Sequence, residues 1–165
     1  MKNEEKKTRE DIREMVNDIK FAMLCTTHKN GHVHSRPMGT QGMDKDGSIW
    51  FMTAKDSEKI HDIKANPKVC ICYAEPSDNT YVCIMGEAEQ VDDQRKIDEL
   101  WTPIAKAWFP EGKDDPNLTL IKVNPHEAEY WDSDSNKIVL GIKMLSTIVT
   151  GKEYVEEGAH GTVKF

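Results

Sequence analysis

The sequence predicts a mainly β (α+β) domain, a closed or partly closed antiparallel barrel with peripheral helices. Strand-like runs are joined by hairpin signals such as Asn30-Gly31, so neighbours pair antiparallel. Helical periodicity comes in short blocks set between those runs, without the regular alternation that marks a parallel sheet. About seven short strands would leave open edges, and closure removes them.

The elements follow in order. Residues 1–7 are charged and read as a flexible N-terminus. Thr8 with Asp11 three residues on reads as a capping box. It opens a helix over about residues 9–19, with Ile12, Met15, Val16 and Ile19 at helical spacing. Residues 21–28 form a first strand and 32–43 a second, polar one broken by Pro37, Gly39 and Gly42. The Asp44-Lys45-Asp46-Gly47 turn leads to a third strand over 49–54. A short helix fits 57–65, capped by Asp56 or Ser57 and stopped at Asn66-Pro67. Residues 69–74 and 81–91 are strands joined by a loop holding Pro76. Asp92 or Asp93 then opens a longer helix carrying Ile97, Leu100, Trp101, Ile104 and Trp108, which Pro103 kinks or restarts. Two further strands, 118–123 and 127–131, meet at Asn124-Pro125. Residues 138–149 form a last apolar segment, helical in its second half, and 152–165 a polar C-terminal tail. All 165 residues make one domain.

Lys+Arg is 22 and Asp+Glu 29, a net charge of -7. That argues against a broad nucleic-acid or acidic-membrane surface. No run approaches ~20 apolar residues, and no secretory signal opens the chain, so a cytoplasmic protein is expected. The four cysteines fit a reducing compartment. Cys70 and Cys72 share a strand face and read as small buried hydrophobes, since a lone Cys-x-Cys is a weak metal signal. His32 and His34 share a face without a third ligand, and no metal site is expected. Rossmann, P-loop and nucleophile-elbow motifs are absent.

Residues 34–66 carry the most chemistry. Arg36 lies mid-strand, where a charge needs a partner or solvent. If the second and third strands pair, Arg36 reaches the turn between the third strand and the next helix. Thr53, Ser57, Lys59 and the helix N–H groups converge there, a set suited to a phosphate.

His-Ser-Arg-Pro-Met at 34–38, Trp-Phe-Met-Thr at 50–53 and Ser57-x-Lys59 resemble the FMN-binding split-barrel proteins related to pyridoxamine 5'-phosphate oxidase. The stretch 100–112 (Leu-Trp-x-Pro to Pro-Glu-Gly), Glu129-Tyr130-Trp131-Asp132 and Gly158-x-His160-Gly161 resemble the bacterial general stress protein branch of that family. The resemblance covers roughly residues 8–165. It implies a six-stranded antiparallel Greek-key split barrel, and a homodimer with FMN in each of two clefts between subunits. Arg36, Thr53, Ser57 and Lys59 would hold the phosphate. Pro37, Met38 and Gly39 would run along the flavin and ribityl chain, with Trp50 nearby. Trp108 and Trp131 are candidates for completing the partner's pocket, or are core or interface aromatics.

The chain departs from the true oxidases after Trp131. Asp132 and Asp134 stand where the family places cations, and they would repel a phosphorylated substrate. Vitamin B6 oxidation is therefore not expected. The reading that follows is an FMN-dependent oxidoreductase of unknown substrate. Its alternative is a flavin-binding or flavin-buffering stress protein that catalyses nothing. In either case Arg36 is expected to serve the ligand and to be dispensable to the fold.

Overall fold

The computed structural model describes residues 7–132 and 159–165. Helix α1 (Arg9–Ile19) begins at the expected capping box, in which Thr8 accepts from the Asp11 amide and the Asp11 carboxylate accepts from the Thr8 amide. Strands β1 (Phe21–Thr27) and β2 (Val33–Met43) form a hairpin whose turn carries Gly31 at φ 84°. Strand β3 (Ile49–Ala54) follows, then α2 (Glu58–Ala65), β4 (Lys68–Glu75) and β5 (Thr80–Val91). After α3 (Gln94–Leu100) and two 3-10 turns, Pro103–Ala107 and Gly112–Asp114, come β6 (Leu118–Asp132) and β7 (Ala159–Lys164).

The strands run in the order β3-β2-β1-β4-β5-β6-β7, every pair antiparallel, and β3 also pairs with β6. That last pairing closes six strands into a barrel and leaves β7 outside it. The first half of β6 pairs with β3, from Leu118 to Val123, and the second half with β7, from Glu127 to Asp132.

Alternation fills the barrel. Leu24, Ile49, Phe51, Ile71, Ile84 and Ile121 are fully buried inside it, and α1 adds Ile12 and Val16. A second cluster uses the opposite faces of β3 and β6. Trp50, Leu118 and Leu120 pack there against Ile97 and Phe109.

Four readings of the sequence need correction. The helix restarts at Pro103, one of the two outcomes expected there, but as a 3-10 turn that does not continue the apolar stripe, so Ile104 and Trp108 stand 73% and 67% exposed. The two strands around Asn124-Pro125 are one, with a bulge at His126 of β6, opposite Met85 and Gly86 of β5, beside the proline. The cysteines are only partly buried, because they lie on the outward face of the sheet. The polar tail contributes β7. The apolar segment 138–149 lies outside the described residues.

Candidate functional site

The strand-to-helix connection after β3 builds the site. Thr53 points inward near the end of β3 and is buried. Ser57 takes extended backbone angles as the N-cap of α2, yet its side chain makes no capping bond. Its hydroxyl instead lies 3.3 Å from Thr53 Oγ1. Lys59, the second residue of α2, folds back and donates from Nζ to Thr53 Oγ1 at 3.1 Å.

Lys59 is held in an unfavourable setting. Burial first, and the Arg36 charge second, push its ammonium below the ordinary lysine value. No carboxylate lies within ion-pair distance of it among the described residues. Two cations, two hydroxyls and the positive end of a helix thus share one small region. An anion with several acceptor oxygens satisfies all of them at once.

Arg36 is more tightly bound into the fold than its sequence position suggests. It sits opposite Leu24 in the β1–β2 register and donates from Nη1 to Thr26 Oγ1 at 2.6 Å. Nη2 lies 3.6 Å from the Asp62 carboxylate. These contacts tie Arg36 to the fold as well as to the ligand region, beyond the ligand role that its sequence position suggests.

Asp62, Thr26 and His28 are the residues that sequence reasoning missed. The Asp62 side chain is 2% exposed, accepts from Thr26 Oγ1 at 2.6 Å and meets His28 Nδ1 at 2.9 Å. Burial works to raise its carboxyl. The hydrogen bonds from Thr26 and His28, with the charges of His28 and Arg36, outweigh that and leave it below the usual carboxylate value. The only signal in the sequence was an acid on the apolar side of α2, one residue before the buried Ile63.

The histidine stack completes this side of the site. The rings of His28 and His34 stack at 4.8 Å, and Glu58 approaches both. His28, His34 and Asp62 bring ligand atoms within 4.8 Å of one another, but the Asp62 carboxylate is already engaged on both oxygens. A cleft of about 510 Å³ lies against His28, Glu58, His61 and Asp62. Its carboxylates make it a poor anion site; the hydroxyl-cation cluster is the better one.

The remaining expected residues divide. Pro37 is exposed on the outward face of β2, Met38 is in the barrel core, and Gly39 is partly exposed opposite Phe21. Trp50 is not with the cluster. It faces the outer packing layer, donates from Nε1 to Asp44 at 2.8 Å, and has Lys96 over its ring at 5.0 Å. Trp131 stacks on His160 at 5.0 Å. Asp132 is paired with Lys7 at 2.6 Å and accepts from Thr80, so its charge is largely balanced; Asp134 lies outside the described residues.

Comparison with known proteins places these features in a wider set. A family model described as pyridoxamine 5'-phosphate oxidase like matches residues 7–155. General stress protein 26 of Bacillus subtilis is 32% identical over 132 residues, which cover 75% of this chain and 91% of that protein. A solved structure of a candidate general stress protein 26 from Jannaschia sp. CCS1 superposes with a TM-score of 0.75 at 25% identity, covering 94% of this chain and 97% of that one. The general stress FMN/FAD binding protein of Xanthomonas citri gives a TM-score of 0.68 at 28% identity, covering 78% of this chain and 90% of that one.

Proposed function

The chain belongs to the pyridoxamine 5'-phosphate oxidase like family, and from that premise we propose that it binds FMN and acts as a flavin-dependent oxidoreductase. The observation that carries this is Lys59, a half-buried cation with no carboxylate partner among the described residues, pressed against Thr53 beside Arg36. A terminal phosphate fits that set: Lys59 and Arg36 as cations, Thr53 and Ser57 as hydroxyl donors, and the first amides of α2. A pocket ending on a terminal phosphate favours FMN over FAD. Bound flavin supplies hydride or electron transfer, and the protein orients the ring and keeps water from it. Asp62 and Thr26 would hold the Arg36 guanidinium ready before the ligand arrives.

A second copy is part of the proposal. The outward face of β2, β1, β4 and β5 carries several exposed apolar side chains. Phe21, Met23, Val33, Tyr81 and Met85 are each 36% to 68% exposed there. In register, Pro37, Met23, Cys72 and Cys83 form one row across four strands. Exposed apolar residues gathered on one face in this way support an interaction surface. A symmetric pair covers it and completes two flavin clefts together, with an interface above ~1,600 Å².

The test is the absorption spectrum of freshly purified protein, followed by extraction and identification of any flavin. FMN and FAD are then titrated into the apo protein. Tighter FAD binding, or no flavin binding at all, would overturn the assignment. Reduction by NADH or NADPH followed by turnover with an acceptor distinguishes an oxidoreductase from a protein that only retains flavin. Light scattering should give twice 18.8 kDa; a stable species of 18.8 kDa with flavin bound would refute the dimer.

A further inference from the structure

The cysteines acquire a meaning in the folded chain that their spacing did not carry. Cys72 of β4 lies directly across from Cys83 of β5, and Cys70 sits two residues along on the same face. The three Sγ atoms are 3.7, 3.1 and 3.8 Å apart. All three are partly exposed and free of disulfides.

We propose that Cys70, Cys72 and Cys83 form a binding site for a thiophilic closed-shell cation of the zinc class. Zinc–thiolate bonds of ~2.3 Å in tetrahedral geometry set sulfurs ~3.8 Å apart along each edge. Two of the three observed separations, 3.7 and 3.8 Å, already match that edge. The third, 3.1 Å, opens to it by a small side-chain rotation. The rigid β4–β5 ladder fixes the three Cα positions, so little order remains to be imposed when the ion arrives.

Three thiolates on a divalent cation leave a single net negative charge on the site, and the three thiols give up their protons to solvent as the ion binds. The fourth position is left to water. The site is separate from the hydroxyl-cation cluster and does not rest on the flavin reading; it lies on the outward face assigned above to the second copy, so in the dimer the ion sits at that interface.

The experiment uses the full-length reduced protein. Equilibrium dialysis against Zn2+ with a chromophoric chelator as competitor should give one ion per chain. Co2+ in its place should give a thiolate-to-cobalt charge-transfer band that saturates at one equivalent. Cys70→Ser, Cys72→Ser and Cys83→Ser should each weaken Zn2+ binding at least ~100-fold, beyond the 10- to 100-fold that supporting residues alone command. Cys25→Ser should stay within about tenfold of wild type, since Cys25 lies outside the trio. Circular dichroism confirms that each variant folds, and the cobalt spectrum of wild type stands even if one does not. Absence of both the band and retained zinc in the reduced wild type would overturn the proposal. So would Cys83→Ser binding zinc as wild type does, or a Cys70–Cys83 disulfide forming while metal is ignored.

Discussion

Replacing Arg36 by alanine should damage the fold as well as the ligand site. The substitution removes the donor to Thr26 Oγ1 at 2.6 Å and the cation 3.6 Å from the Asp62 carboxylate. Breaking a fully buried pair costs about 3–5 kcal/mol. Here Asp62 keeps Thr26 and His28 as partners, and Arg36 is partly exposed, so the loss is smaller. About 1–3 kcal/mol is the appropriate range for losing hydrogen bonds to a charged group that keeps others. At this chain length that lowers Tm by roughly 2–12 °C. The assay is urea and thermal unfolding of the flavin-free protein at one chain concentration. The same measurement on Asp62→Asn and on the double variant gives the coupling. The double variant should be less damaged than the sum of the singles, because neither charge is left alone. The pH dependence has a definite sign. Asp62 sits below its ordinary value, so its stabilisation is full above the unfolded carboxylate value and fades as pH falls through the folded one. The gap between wild type and Arg36→Ala should therefore narrow as the solution is acidified. Equal stability of the two flavin-free proteins at neutral pH would refute the anchoring of Arg36 by Asp62.

Lys59→Met should weaken FMN binding about 10- to 150-fold, by the loss of one charge-assisted bond, while leaving the flavin-free fold as stable or more stable. Wild type should also gain stability as pH rises through the lowered Lys59 value, and the variant should lack that gain; flavin fluorescence and melting curves measure both effects. Thr8→Ala removes the capping box of α1 and should cost ~1 kcal/mol, read as a Tm lower by about 2–4 °C. Gly86→Ala would drive a Cβ into the backbone of Asn124 and Pro125 at the β5–β6 bulge, where nothing can rotate away. It should destabilise by at least ~2 kcal/mol in denaturant titration.

What was legible in the sequence was local. The Thr8–Asp11 box, the Asn30-Gly31 turn and the Thr53, Ser57 and Lys59 cluster all depend on residues within one turn or one connection. What was not legible depends on which strand lies beside which. Asp62 reads as an ordinary helix acid until β1 is laid against it with Thr26 and His28. Trp50 reads as part of the Trp-Phe-Met-Thr site motif, but strand alternation sets it opposite Thr53, in the outer layer. The cysteine trio exists only through the β4–β5 register. The strand in the polar tail was missed because β7 has little hydrophobic alternation and is held by β6.

The seam between β3 and β6 has a kinetic consequence. It joins residues 49–54 to residues 118–123, and everything between them must be gathered into a closed loop before those hydrogen bonds form. The β1–β2 and β4–β5 ladders need far shorter loops. Entropy of closure rises with loop length, and nonlocal strand pairing slows folding. The hairpins should therefore form first and the seam last. Thr53 lies on that seam, paired with Thr119, and α2 hangs from its end. The hydroxyl-cation cluster is thus fixed only when the barrel shuts. During refolding, ligand-binding competence should appear with the slow closing phase, after most of the strand signal has returned.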